Sequence, residues 1–499
     1  MARAHTKNLD VSIGYTCNFL YFTSIIIHIK LTLLNPHELI ANGIRKMLNF
    51  KDTTILVKLA IPLILSGLVQ ASLGFTSTLF LSHLGTESLA AGSLVSWFFA
   101  TLMVVFWGIF TSVSVLVSNY RGAGEDNKIT YVLRDGLYLA IVLSLPLSVL
   151  VWNMGPILYA LGQKKELVQM TIPYLHALSF GLLPDLVGLL LLQFVVGLEH
   201  MKTNLIFNIS WVILNIVLNY AFIYGYFGLP ALGIAGLGWG NTCSYWITTL
   251  AWGTYFLMQP HYRGYFQTIF KPSKPFYFYD LLKIGLPTGL MFAIEISFFF
   301  VLALELGHIG VTLLAASQVA IQYMSLFVTI LFAIAQAITV RVSNRLGAKQ
   351  PIDAHNAVYS GLFISFSIMS ILALIAFIYP AILVGVDFST ITPKNSGVVT
   401  DAIAYLKIAV LFLLLESIRI SLFGALRGHK ATPVTLLSSF LSFWCIAIPM
   451  GNVLAYGFGL GGIGFWYGML FGGVFGALFL WWCYDRRIRH MCLSGVGAG

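Results

Sequence analysis

Apolar residues run along this chain in blocks of about twenty or more, separated by short polar breaks, from residue 52 almost to the C-terminus. An α-helix rising about 1.5 Å per residue needs roughly 20 residues to cross a hydrocarbon core about 30 Å thick. The pattern predicts twelve such spans, at residues 55–81, 94–118, 132–154, 170–197, 204–227, 233–257, 280–304, 312–340, 357–379, 402–425, 434–456 and 462–484. Residues 1–51 stand outside it. The run 19–34 is apolar but short and carries His28 and Lys30, so this N-terminal extension reads as interfacial or disordered, with Met47 as an alternative start.

The pattern also repeats. Leu56, Lys58, Pro62, Leu65, Ser72, Phe75 and Leu79 recur 225 positions later as Leu281, Lys283, Pro287, Leu290, Ser297, Phe300 and Leu304. His83 and Gly85 recur as His308 and Gly310, and Val117-Ser118-Asn119 with Gly122-Ala123 as Val342-Ser343-Asn344 with Gly347-Ala348. Six spans per period is an even number, so equivalent helices point the same way and the halves are related by an axis along the membrane normal. The expected fold is an all-α polytopic membrane protein of twelve transmembrane helices in two pseudo-twofold-related six-helix lobes. The N-lobe is expected at 52–257, a cytoplasmic linker at 258–279, the C-lobe at 280–485 and a tail at 486–499.

Composition removes the soluble alternatives: of 499 residues, 58% are apolar and 9% charged. A net charge of +10 would suggest nucleic acid in a soluble chain. Here sixteen Lys and Arg, among them Arg121, Lys202, Lys271, Arg345 and Arg486, fall in the even-to-odd loops and the C-terminal end, against Lys164, Lys165 and Lys394 on the other side. That asymmetry sets both termini in the cytoplasm and replaces the nucleic-acid reading with orientation in a bilayer. The five cysteines are scattered without CxxC or Cys/His spacing, so no disulfide framework, zinc site or other cofactor is indicated.

The informative difference between the two copies is Gln70 in the first and Glu295 in the second. Glu295 lies about ten residues into an apolar run, roughly 15 Å deep, where a charge is expensive and marks function by default. Apolar surroundings favour a neutral carboxyl and a bound cation favours the ionised one, so a single acid there can exchange a proton for a cation. Glu416 has a comparable depth, with Arg419 three residues on along the same helical face, which makes it either a coupling acid or half of a structural pair. Asp185, following Pro184, is expected in a structural pair. Gln318, Gln322 and Gln336 can offer oxygens to a cavity or link helices, and Asn215 and Asn219, four apart, can do the same. Pro62 and Pro287 are read as hinges or as helix entrances.

Leu59-Ala60-Ile61-Pro62 with Gly74-Phe75, the loop from Val117 to Ala123, Leu214 to Asn219 with Ile223-Tyr224-Gly225, and Gly424 to Gly428 resemble the multidrug and toxic compound extrusion (MATE) family, best its NorM-like branch, over residues 52–485. The resemblance implies a two-lobe transporter that exports cationic or amphipathic compounds by alternating access in antiport with Na⁺ or H⁺. It implies a monomer in a plasma membrane, the bacterial inner membrane, with lipid and small molecules as its partners. It makes Glu295 and Glu416 the coupling-ion site; glutamine, hydroxyl and backbone oxygens near them favour Na⁺, a hard cation, as the ion, and Gln70, Ser77, Asn215, Asn219, Gln318, Gln322 and Arg419 are the candidate cavity lining. Where family members carry an acid in the first helix this chain has Ser77, and where some carry one in the fifth it has Asn219, so coupling is expected in the C-lobe. A lipid flippase is the runner-up and would need several buried Arg or Lys, of which Arg419 is the one clear deep example. A membrane-embedded enzyme would need HExxH, GxSxG or paired metal-binding acids and histidines, and the sequence has none.

Overall fold

A computed structural model describes residues 50–267, 276–387 and 396–493. The N-terminal extension up to residue 49, linker residues 268–275 and the end of the tail lie outside the described residues. The first half comprises α1 (Phe50–His83), α2 (Thr86–Gly122), α3 (Asp126–Trp152), the short α4 (Met154–Ala160), α5 (Lys165–Ser179), α6 (Leu182–Gly197), α7 (Met201–Tyr224) and α8 (Ile234–Met258). A short α9 (Pro260–Gln267) follows in the linker. The second half comprises α10 (Phe278–Ile309), α11 (Val311–Gly347), α12 (Pro351–Ile378), the short α13 (Pro380–Asp387), α14 (Ser396–Gly428), α15 (Thr432–Gly457) and α16 (Gly462–Leu493).

Ten of these helices are long and apolar enough to cross a membrane, eleven when α5 and α6 count as one bent span. The helix α8 has the length, at 25 residues, but is rich in Gly, Thr, Trp and Tyr and falls below that apolarity. The 225-residue period holds at helix ends: α2 and α11 both run 37 residues and begin and end at equivalent positions. Pro62 and Pro287 lie inside α1 and α10 rather than at their starts, which removes the helix-entrance reading.

The fourth span departs from its counterpart. Between α5 and α6 the chain turns by 52° at Phe180-Gly181, whereas α14 is continuous. Pro184 has no N–H to give to the carbonyl of Phe180 four residues back. That carbonyl instead accepts a hydrogen bond from Trp246 Nε1 at 3.1 Å, and Thr249 Oγ1 donates to the carbonyl of Pro184 at 2.8 Å, so α8 satisfies the broken ladder.

The lobes meet along α1, α2, α10 and α11 at the end that carries the basic loops. Asn119 Nδ2 donates to the carbonyl of Ser343 at 3.0 Å, Ser343 Oγ donates to the carbonyl of Val115 at 2.7 Å, and Arg341 pairs with Asp52 at 3.0 Å. Gly122 lies so close to the Asn344 carbonyl that a Cβ would overlap it, and Gly347 stands in the same relation to Asn119. These two contacts are exchanged by the 225-residue repeat, so the pseudo-twofold axis passes between them. Toward the opposite ends Phe75, Leu79, Phe300 and Leu304 are exposed, and the named cross-lobe contacts do not reach that far.

Candidate functional site

Glu295 lies near the midpoint of α10, 9% exposed, and Glu416 and Arg419 lie on α14, 2% and 3% exposed. Arg419 joins them. Its Nε and Nη2 donate to the two oxygens of Glu416 at 2.6 and 2.7 Å, and its Nη1 donates to Oε1 of Glu295 at 2.7 Å. Ser439 Oγ donates to the same oxygen of Glu295 at 2.7 Å, and the guanidinium lies 5.0 Å from the Phe443 ring centroid. The i, i+3 spacing predicts the Glu416–Arg419 fork, whereas the bond to Glu295 closes across 124 residues.

Ser439 and Phe443 were not legible as site residues. They belong to α15, where the backbone loosens into π-helical stretches at Phe440–Ala447 and Val453–Gly457, either side of Pro449. The available signal was a pair of serines, Ser438 and Ser439, at the head of an apolar run, and serine is too common in transmembrane helices to single out.

The other candidates separate. Gln70 lines a cavity inside the N-lobe and donates to Asn208 Oδ1. Asn215 Nδ2 donates to Asn241 Oδ1 at 2.9 Å and Ser244 Oγ at 2.8 Å, and Asn219 Nδ2 to Asn215 Oδ1 at 2.7 Å, so these asparagines clamp α7 to α8. Ser77 is half-buried, and Gln318 and Gln322 are exposed, with no side-chain hydrogen bonds to the acids. Gln336 is the buried glutamine of its helix: its Nε2 donates across the lobes to Ser114 and Gln193 at 3.0 and 3.2 Å, and its Oε1 accepts from Arg427 at 2.6 Å. Asp185 is not in the structural pair expected of it; among the described residues its carboxylate has neither hydrogen bond nor ion-pair partner, and it lines the same cavity as Gln70. No group of three or more His, Cys, Asp and Glu suited to a metal occurs among the described residues.

A family model for MatE matches residues 62–221 and 287–453, the two halves of the repeat. The chain belongs to the MatE family. Relatives named multidrug resistance protein NorM match most of it: one from Burkholderia vietnamiensis is 32% identical over 435 residues, covering 87% of this chain and 94% of the relative. A probable NorM from Brucella suis is 29% identical over 452 residues, covering 90% and 95%. In structure, a MOP superfamily transporter from Pyrococcus furiosus matches with a TM-score of 0.80 at 20% identity, covering 90% of this chain and 97% of that one. An outward-facing multidrug resistance MATE family transporter matches at 0.79 and 20%, covering 88% and 96%. The fold is the two-lobe MatE fold of twelve helices, embedded in a membrane.

Within this MatE protein, Arg134, Arg341 and Arg427 are buried as well as Arg419, but toward the basic ends of their helices. Each is committed to protein partners, Arg134 to Asp135, Arg341 to Asp52, and Arg427 to Gln336 and Thr339. A flippase for anionic headgroups needs such charges facing a cavity, and these are bound to the protein's own side chains, Arg341 and Arg427 across to other helices and Arg134 along its own.

Proposed function

We propose that this MatE protein exports organic cations and amphipathic drugs across a bacterial inner membrane in exchange for protons carried by Glu295. The NorM relatives, named for multidrug resistance, supply the substrate class. The observation that carries the coupling is a charge count. With both carboxylates ionised, Glu295, Arg419 and Glu416 hold two negative charges against one positive, a net −1 removed from water, which is costly. One added monovalent cation neutralises the cluster.

Glu416 has both oxygens occupied by Arg419, so the incoming charge goes to Glu295, whose second oxygen has no hydrogen-bond partner among the described residues. A hard metal cation requires a shell of oxygens. Among the described residues Ser439 is the one hydroxyl bonded to Glu295, and the guanidinium 2.7 Å from Oε1 already takes the cation's place. A proton needs a single oxygen, and the geometry favours it over the Na⁺ preferred on sequence. Protonation of Glu295 weakens its hold on Arg419 and frees α10 to move against α14 and α15. We read the lobe contact at the basic end, the end that the charge asymmetry points toward the cytoplasm, as that of an outward-facing state, in which a drug leaves and a proton enters.

Inverted vesicles carrying the protein are expected to accumulate a fluorescent cation under an imposed pH gradient in sodium-free medium, and Glu295→Gln to abolish this at normal protein levels. Uptake that requires a Na⁺ gradient, or a glutamine variant that transports at the unmodified rate, would overturn the proposal.

A further inference from the structure

The repeat places a second acidic position in the N-lobe. Gly197 of α6 packs on Ser114 and Val117, and Gly428 of α14 packs on Thr339 and Val342. The partners are 225 residues apart and the glycines 231, so α6 aligns with α14 at the longer spacing. On that register Asp185 stands where Glu416 stands, and Gly188 where Arg419 stands; at the shorter spacing Gln70 stands where Glu295 stands. The C-lobe therefore fills its acidic position with its own guanidinium, while the N-lobe keeps an acid and has no side chain at the guanidinium's position.

A cavity of about 210 Å³ occupies that place, walled in part by Gln70, Asp185, Gly188, Trp211, Tyr245 and Trp252. Asp185 is the one charged residue among its lining. It lies in the first turn of α6, where the helix's free N–H groups favour a negative charge. The walls are braced: Trp211 stacks on Tyr245 with ring centroids 5.9 Å apart, and Trp252 on Phe207 at 5.0 Å. Aromatic faces attract cations, and a guanidinium both forks onto a carboxylate and stacks on rings.

We infer that this N-lobe cavity binds a small guanidinium or amidinium cation bearing one apolar or aromatic group, seated as Arg419 is seated in the C-lobe and held by Asp185. The cavity's 210 Å³ gives room for a single ring with its charged head between the aromatic walls. The inference rests on the export reading only for the fate of the ligand, since binding is measured separately from transport.

The test is equilibrium binding of radiolabelled benzylguanidine to the purified full chain, with benzylurea as the neutral isostere. Saturable binding is expected that a hundredfold excess of benzylurea does not displace. Asp185→Asn is expected to weaken it at least tenfold. Gly188→Arg puts a guanidinium three residues after Asp185, as in the Glu416–Arg419 pair, and is expected to abolish binding while raising thermal stability. A Cβ at residue 188 comes 3.0 Å from Thr249 Oγ1 and 3.5 Å from the Trp252 ring, within reach of side-chain adjustment. Absence of binding to the unmodified protein, equal competition by benzylurea, or unchanged affinity in either variant would overturn the site. If binding behaves as expected and vesicles take up no cation, the export reading falls and the site stands. If uptake holds and Asp185→Asn binds normally, the site alone falls.

Discussion

Arg419→Met is the most direct probe of the C-lobe cluster. The guanidinium makes three charge-assisted hydrogen bonds of 2.6 to 2.7 Å to two buried carboxylates and a fourth, at 3.2 Å, to Ser439. Methionine matches much of the volume and none of the charge, so the cluster passes from a net −1 to two unpaired carboxylates. Removing one partner of a buried ion pair costs about 3–5 kcal/mol, because the remaining charge keeps its desolvation penalty without the attraction. We expect a loss of about that size, read by tryptophan fluorescence during SDS titration in mixed micelles. Arg419→Met with Glu416→Gln should recover a substantial part, since the second change removes one stranded charge, and the cycle should show a coupling above about 1 kcal/mol. A single variant within about 1 kcal/mol of the unmodified protein, or a double variant no more stable than Arg419→Met, would refute the claim that the arginine neutralises both acids.

The remaining expectations concern the basic end and orientation. His200, between α6 and α7, is held neutral down to about pH 4 by burial, with Arg121 and His261 adding repulsion, while its unfolded value is near 6.5. Its folded pKa is lowered, so the unfolded chain binds more protons and stability falls as pH drops from about 6.5 to about 4. His200→Gln should flatten that part of the thermal-stability profile, and an unchanged slope would count against it. Gly347→Leu, which drives a side chain into the Asn119 carbonyl, should part the lobes at this end and raise thiol-reagent labelling of Ser343→Cys in inverted vesicles; equal labelling would deny the contact its sealing role. In intact cells an impermeant reagent should label a cysteine placed at residue 394 and not one at 271, and the reverse pattern would invert the topology.

Much of the architecture was legible in the chain. Apolar block length is a local property set against a fixed bilayer thickness, so the spans fell on helices, with α8 recognisable by its place in the repeat more than by its apolarity. Depth along a helix is equally local, and it marked Glu295 and Glu416; the i, i+3 spacing joined Glu416 to Arg419 before any neighbour was known. Rotation about the helix axis and the identity of the facing helix are not local, and they decided the rest. They brought Glu295 and Ser439 to the guanidinium, turned Asn215 and Asn219 toward α8, made Gln336 a link between the lobes and left Gln318 and Gln322 exposed. Asp185 shows the distinction most clearly. Sequence gives it the depth of a buried acid, for which a partner is the usual expectation, but a partner must come from whichever helices pack against α6. The 52° turn at Phe180-Gly181 and the empty position at Gly188 set it against aromatic walls instead, because packing between distant segments, not position along one of them, determines which charges meet.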